Sequence, residues 1–330
     1  MHESMKCMYP RAEHVRSLIR DIIFLRRFTM RTLAFFLFVM PAVLFAQLSE
    51  TAAWSATTPD RYWVTPNITY ATATGFECKL DVYRPANAVS PVPTVVYIHG
   101  GGWVIGSKEA AVLQILPYLE MGFAVVNVEY RLARVALAPA AVEDCRRALR
   151  WVFANAKTYA FDTNKVVVTG GSAGGHLALM TGLLDVSSGF DQTTGWDPVP
   201  VVPRVAAIIN WYGITDVADL LEGPNYQQYA AAWLGRLPNR QELAKAVSPM
   251  TYVRKSTAPI LTIHGDADQL VPYSHAVRLH DALKKAGMKN EFITIPGGKH
   301  GGFSKEEMVR IYERVREFLK DVGIAPPSAH

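Results

Sequence analysis

The sequence predicts an α/β fold, a mostly parallel eight-stranded sheet with helices on both faces and a small helical cap inserted after the sixth strand. Three observations carry this expectation. From about residue 66, short β-rich runs alternate with longer helical patterns, which is the rhythm of a parallel sheet covered by helices. Several of the short runs, such as Thr94–Ile98 (TVVYI) and Lys165–Thr169 (KVVVT), are apolar without alternation, as strands buried on both faces are. Glycine-rich turns follow these runs directly.

In order, Asn67–Thr74 and Glu77–Tyr83 are split by Gly75 and read as an antiparallel hairpin at a sheet edge. Thr94–Ile98, Phe123–Val128, Lys165–Thr169, Val205–Asn210, Pro259–Ile263 and Glu291–Ile295 complete eight strands. Between them, Ala140–Ala156 sets Val142, Cys145, Ala148, Leu149, Val152 and Phe153 on one side of a helix. Ser172–Leu184, His275–Ala286 and Lys305–Val322 also read as helices. Asp216–Val253 breaks the rhythm and holds no buried-strand run, so it is expected to be the cap. Asp185–Pro203 reads as a surface loop.

Half of the 330 residues are hydrophobic, a globular composition. The net charge of +5 is unevenly placed: residues 1–46 hold seven Lys/Arg and three acids, leaving 27 basic against 26 acidic residues. A nearly neutral body gives no basic face for nucleic acid. Leu33–Ala46 is a 14-residue apolar run after Arg26, Arg27 and Arg31, too short for the ~20 residues of a membrane span. A basic stretch, a short apolar run and a small terminal residue describe a secretory signal cleaved after Ala46. The expectation is therefore an exported protein, periplasmic or secreted, with a catalytic domain over 47–330 and no membrane span after signal removal. The stretch before the run is unusually long, and Met30 would open a signal of ordinary length. Of the cysteines, Cys78 and Cys145 follow the signal. A disulfide and two buried free thiols are both open readings. No CxxC or clustered His/Cys pattern suggests a metal.

Four motifs carry chemistry. Gly170-Gly171-Ser172-Ala173-Gly174 joins a buried strand to a helix, the context of a nucleophile elbow. The Ala173 amide then sits at a helix N-terminus, where an oxyanion is favoured. His99-Gly100-Gly101-Gly102-Trp103 follows TVVYI; Gly101 and Gly102 can add two more amides to an oxyanion hole. His264-Gly265-Asp266-Ala267-Asp268 offers two acids, either of which could orient a catalytic base, the other holding the loop. Gly297-Gly298-Lys299-His300-Gly301-Gly302-Phe303 follows the last strand. The order Ser…Asp…His is that of a known hydrolase architecture, and placement after the eighth strand separates His300 from His176, His275, His280 and His330. Trp103, Trp211, Tyr212 and Phe303 fall at carboxyl ends of strands and are expected to wall a compact substrate pocket. Trp211 could equally seal its loop against the sheet.

These motifs, with VEYRLA (128–133), EDCRRALRWV (143–152) and SPMTYV (248–253), resemble the feruloyl-esterase-like (BD-FAE) and hormone-sensitive-lipase-like bacterial carboxylesterases of the α/β-hydrolase superfamily. The resemblance covers roughly residues 65–322. It implies a triad of Ser172, Asp268 and His300, an oxyanion hole of Gly101, Gly102 and Ala173, and a structural role for Arg131 paired with a carboxylate. Gly171 before the serine and YRLARV in place of YRLAPE favour the feruloyl-esterase-like branch. The activity implied is cofactor-free and metal-free hydrolysis of small-molecule esters through an acyl-enzyme. Short acyl or aryl esters are the expected substrates, with acetyl-xylan and feruloyl esters among the candidates. An amidase, arylformamidase or peptidase on the same machinery, and an inactive binding protein, are the rival readings.

Overall fold

Eight strands form one sheet in the computed structural model, which describes residues 49–88, 90–191, 202–254 and 258–324. They are β1 (Tyr62–Ala73), β2 (Phe76–Pro85), β3 (Val92–Ile98), β4 (Ala124–Val128), β5 (Phe161–Gly171), β6 (Ala207–Trp211), β7 (Ile260–Gly265) and β8 (Asn290–Ile295). Their spatial order is β1-β2-β4-β3-β5-β6-β7-β8. β1 and β2 form the antiparallel edge hairpin, β2 pairs antiparallel with β4, and every other pairing is parallel. All eight expected strands are present, several longer than their apolar cores.

Both faces of the sheet are buried because successive side chains of a strand point to opposite sides. Val96, Val126, Val168 and Ile208 pack with Leu149, Leu177 and Leu279, from helices Ala140–Ala154, Ala173–Leu183 and Ser274–Lys285. Their neighbours Val95, Val125, Val167 and Ile209 pack on the other face with Ile115, Leu119, Val315 and Phe318. Those belong to helices Val112–Glu120 and Lys305–Asp321. Each buried aliphatic contributes about 1.5–3 kcal/mol. The helix Val112–Glu120 was not anticipated; Pro117 lies inside it and masks the helical pattern.

Between β6 and β7 the chain forms the short helices Gln228–Leu234 and Arg240–Ala246 and several single turns. Ala230, Trp233 and Leu234 anchor this cap in the core, and Arg278 reaches Asp216 and Asp219, each at 2.9 Å. Arg131 makes two 2.8 Å hydrogen bonds to Asp144, from Nε and Nη2, a buried pair. Cys78 and Cys145 are buried free thiols; burial pushes the Cys78 thiol up to about 12. Glu50–Thr57 is a separate short helix whose N-terminus is capped by Ser49 Oγ, 3.1 Å from the Ala52 amide. No helix among the described residues is long and apolar enough to cross a membrane. The expected signal at 1–46 and most of the second half of the 185–203 loop lie outside the described residues.

Candidate active site

Five neighbouring strands, β3, β5, β6, β7 and β8, end on the same side of the sheet. The turns after them carry His99–Trp103, Ser172, Tyr212, Asp268 and His300 in that spatial order. Convergence of these motifs therefore follows from parallel topology, since parallel neighbours put their carboxyl ends together.

Ser172 lies between β5 and helix Ala173–Leu183 with φ 58° and ψ −122°, a backbone conformation that costs a non-glycine residue of order 1–3 kcal/mol. Its amide bonds the Trp211 carbonyl (2.9 Å) and its carbonyl accepts from the His176 amide (3.0 Å), which pins the turn. The flanking glycines are required by close approach. A Cβ on Gly170 would lie 2.3 Å, and one on Gly174 2.1 Å, from the Ile98 carbonyl oxygen. The glycine loop after β3 passes beside the serine, where a Cβ on Gly100 would sit 3.6 Å from Ser172 Cβ. Gly101 and Gly102 have φ of 114° and 59°. Among the described residues their amides donate to no backbone or side-chain acceptor. The Ala173 amide is in the first turn of its helix, where N–H groups lack intrahelical acceptors.

Asp268 is buried, with both carboxylate oxygens saturated. Oδ1 accepts from the amides of Leu270 (2.8 Å) and Val271 (3.1 Å). Oδ2 accepts from His300 Nδ1 (2.7 Å) and His264 Nε2 (3.1 Å). Burial alone would raise this carboxyl; the hydrogen bonds from both histidines and the Val271 amide outweigh it and hold Asp268 well below the usual carboxylate range. Asp266, its rival in the sequence, is exposed and accepts from the Gly297 amide at 2.6 Å, tying the β7 turn to the β8 turn. His300 is engaged by Asp268 through Nδ1.

Tyr212 joins the two halves. Cβ atoms built on Gly171 and Gly301, the neighbours of Ser172 and His300, would lie 3.2 and 3.1 Å from its hydroxyl. Its ring is 4.8 Å from that of His300 and 6.1 Å from that of Phe303. Tyr212 and Phe303 are half-buried at the site. Trp103 and Trp211 correct the expectation of four pocket walls. Trp103 is 0% exposed, stacks on Trp233 at 4.1 Å, and donates to His176 Nδ1. Trp211 is buried among the second-face residues and donates to Tyr118 Oη at 3.2 Å. Apolar stacking on the cap and on the lower helices outcompetes exposure for both rings, so they brace the site from behind.

Two contributors were not anticipated. His264, at the start of the motif after β7, bonds the same oxygen of Asp268 as His300 does. Tyr229 of the cap lies against the glycine loop, 3.0 Å from a Cβ on Gly102, and donates to the Leu270 carbonyl at 2.9 Å. The i, i+4 spacing of His264 and Asp268 across a tight turn was a usable signal; nothing local marks Tyr229. Among the described residues no three His, Cys, Asp or Glu side chains are grouped as metal ligands.

The BD-FAE family model matches residues 80–283. Esterase LipQ of Mycobacterium tuberculosis is 28% identical over 258 residues, covering 74% of this chain and 59% of that protein. Esterase LipC of the same organism is 27% identical, covering 67% and 56%. The chain thus spans less than two thirds of the length of these relatives. Among solved structures, a truncated carbohydrate esterase from gut microbiota superposes with a TM-score of 0.65 at 29% identity, over 79% of this chain and 98% of that one. A thermophilic esterase of Thermogutta terrifontis with bound butyrate gives 0.67 at 27% identity, over 82% and 97%.

Proposed function

The chain belongs to the BD-FAE family of the α/β-hydrolase fold, and from that premise we propose that it is a serine carboxylic-ester hydrolase working through Ser172, His300 and Asp268. The observation that carries this reading is the strained Ser172 turn beside free glycine amides, two strands along the sheet from a buried carboxylate that orients His300. Ser172 Oγ attacks the ester carbonyl while His300 Nε2 takes its proton. The amides of Gly101, Gly102 and Ala173 hold the oxyanion, and the alcohol leaves with the proton from His300. Water activated by the same imidazole then releases the acid. Asp268 stays ionised throughout and stabilises the imidazolium.

Tyr212, Phe303 and the cap residue Tyr229 crowd this space, which favours short acyl groups of about two to four carbons, or aryl esters, over long chains. The butyrate complex of the T. terrifontis esterase and the carbohydrate-esterase relative support small substrates, with acetylated or feruloylated plant polysaccharides as natural candidates. Export through cleavage of residues 1–46 belongs to the same proposal. The protein recovered outside the cytoplasm should begin near Gln47, and an intact leader there would refute export. The activity is tested with p-nitrophenyl butyrate. Ser172→Ala should reduce kcat by at least about a thousandfold without changing thermal stability, and retention of a hundredth of the activity would reject Ser172 as nucleophile.

A further inference from the structure

His264 is the penultimate residue of β7, with its ring wholly buried. Its Nε2 lies 3.1 Å from Asp268 Oδ2 and 3.1 Å from the Val271 carbonyl oxygen. Two acceptors at one nitrogen mean that the proton is on Nε2. Nδ1 is buried with no hydrogen-bond partner among the described residues, so it has no acceptor for a second proton. The ring meets Tyr273 edge-on at 5.8 Å, which fixes its plane.

We propose that His264 is a positioning residue for the reaction, a second imidazole that shares Asp268 Oδ2 with His300 and thereby sets both the orientation and the charge that His300 experiences. This rests on the reading of Ser172, His300 and Asp268 as the catalytic set. Without His264, Oδ2 would keep only the His300 proton, and the carboxylate would lose one of the four hydrogen bonds that fix its plane. The negative charge left on Oδ2 would also be less shared, which stabilises the protonated form of His300 and makes it a base only at higher pH. The other titratable groups facing this cluster are the phenols of Tyr212, Tyr229 and Tyr273, with Asp266 and Lys299 at exposed positions in the adjoining turns. None of them donates to Oδ2 in place of His264.

The test compares His264→Leu with His264→Gln, whose side-chain amide presents an N–H near the site of imidazole Nε2. His264→Leu should lower kcat for p-nitrophenyl butyrate by about tenfold or more with KM changed less than about twofold. The acid limb of its kcat/KM profile should move up by about half a pH unit or more. His264→Gln should return the limb to the wild-type position and recover most of kcat. Equal losses in both variants with an unmoved limb would show that His264 only fills space and would overturn the proposal. Nitrogen-15 NMR of histidine-labelled wild-type protein gives a readout independent of activity and of the variants' folding. It should show His264 protonated at Nε2 and bare at Nδ1, and a proton on Nδ1 instead would also overturn the proposal. Failure of the underlying triad is separately visible, as Ser172→Ala retaining activity in the same assay.

Discussion

His176 Nδ1 accepts a hydrogen bond from Trp103 Nε1 at 3.2 Å, and the same ring donates from Nε2 to the Val247 carbonyl at 2.7 Å. One nitrogen accepts and the other donates, so the buried imidazole is neutral. His275 is held the same way: the Thr215 amide donates to its Nδ1 (3.1 Å) and its Nε2 donates to Asp219 (3.1 Å). Burial lowers both to about 4, for His275 with help from Arg278 and against the pull of Asp219.

Stability should therefore fall with acid in a defined window. The unfolded chain takes up protons at these histidines near pH 6.5, and the folded protein does so only near 4. Stability is complete above 6.5 and is lost as pH falls towards 4, by about 3 kcal/mol from each group. Asp268 acts lower: its depressed folded value gives stability that is present above the ordinary carboxylate range and lost below it. Urea unfolding at pH 7, 5.5 and 4.5 should show a steady drop in midpoint, and a midpoint flat over that range would contradict neutral buried histidines.

Asp268→Asn and Asp266→Asn should differ sharply. The first replaces a carboxylate with an amide that cannot stabilise imidazolium and sets its NH2 against either both histidine donors or both backbone amides, so kcat should fall by about three to four orders of magnitude. The second weakens one exposed bond to the Gly297 amide and should cost less than about tenfold. Steady-state kinetics on both variants checks the ranking, and the reverse order would move the acid to Asp266.

Sheet, cap and the helices other than Val112–Glu120 were legible because buried strands and amphipathic helices leave periodic marks: Val95 and Val96, or Ile208 and Ile209, face opposite cores with no polar interruption. The motif turns were legible because Gly170 and Gly174 cannot carry a side chain against Ile98. What stayed hidden is set by contacts between distant segments. The choice between Asp266 and Asp268 depends on which carboxyl meets His300 and which only the Gly297 amide. The burial of Trp103 depends on Trp233, 130 positions later. The second bond to Asp268 depends on how tightly the β7 turn closes over His264.

The proposed short-chain preference should depend on Tyr229, whose hydroxyl clasps Leu270 while its ring covers the glycine loop. Wild-type kcat/KM should favour p-nitrophenyl butyrate over the palmitate ester by at least about a hundredfold below micelle-forming concentrations. Tyr229→Ala should narrow that ratio. A wild-type preference for palmitate would make the site a long-chain one.

The central claim, that Ser172 is the nucleophile activated through His300, is tested most directly by covalent trapping. After inactivation with diethyl p-nitrophenyl phosphate, peptide mass spectrometry should find one diethylphosphoryl group, on the peptide containing Ser172. Its stoichiometry should track the loss of activity, and Ser172→Ala should take up none. Complete inactivation with the adduct on any other residue, or continued ester hydrolysis by a protein fully labelled at Ser172, would contradict the account.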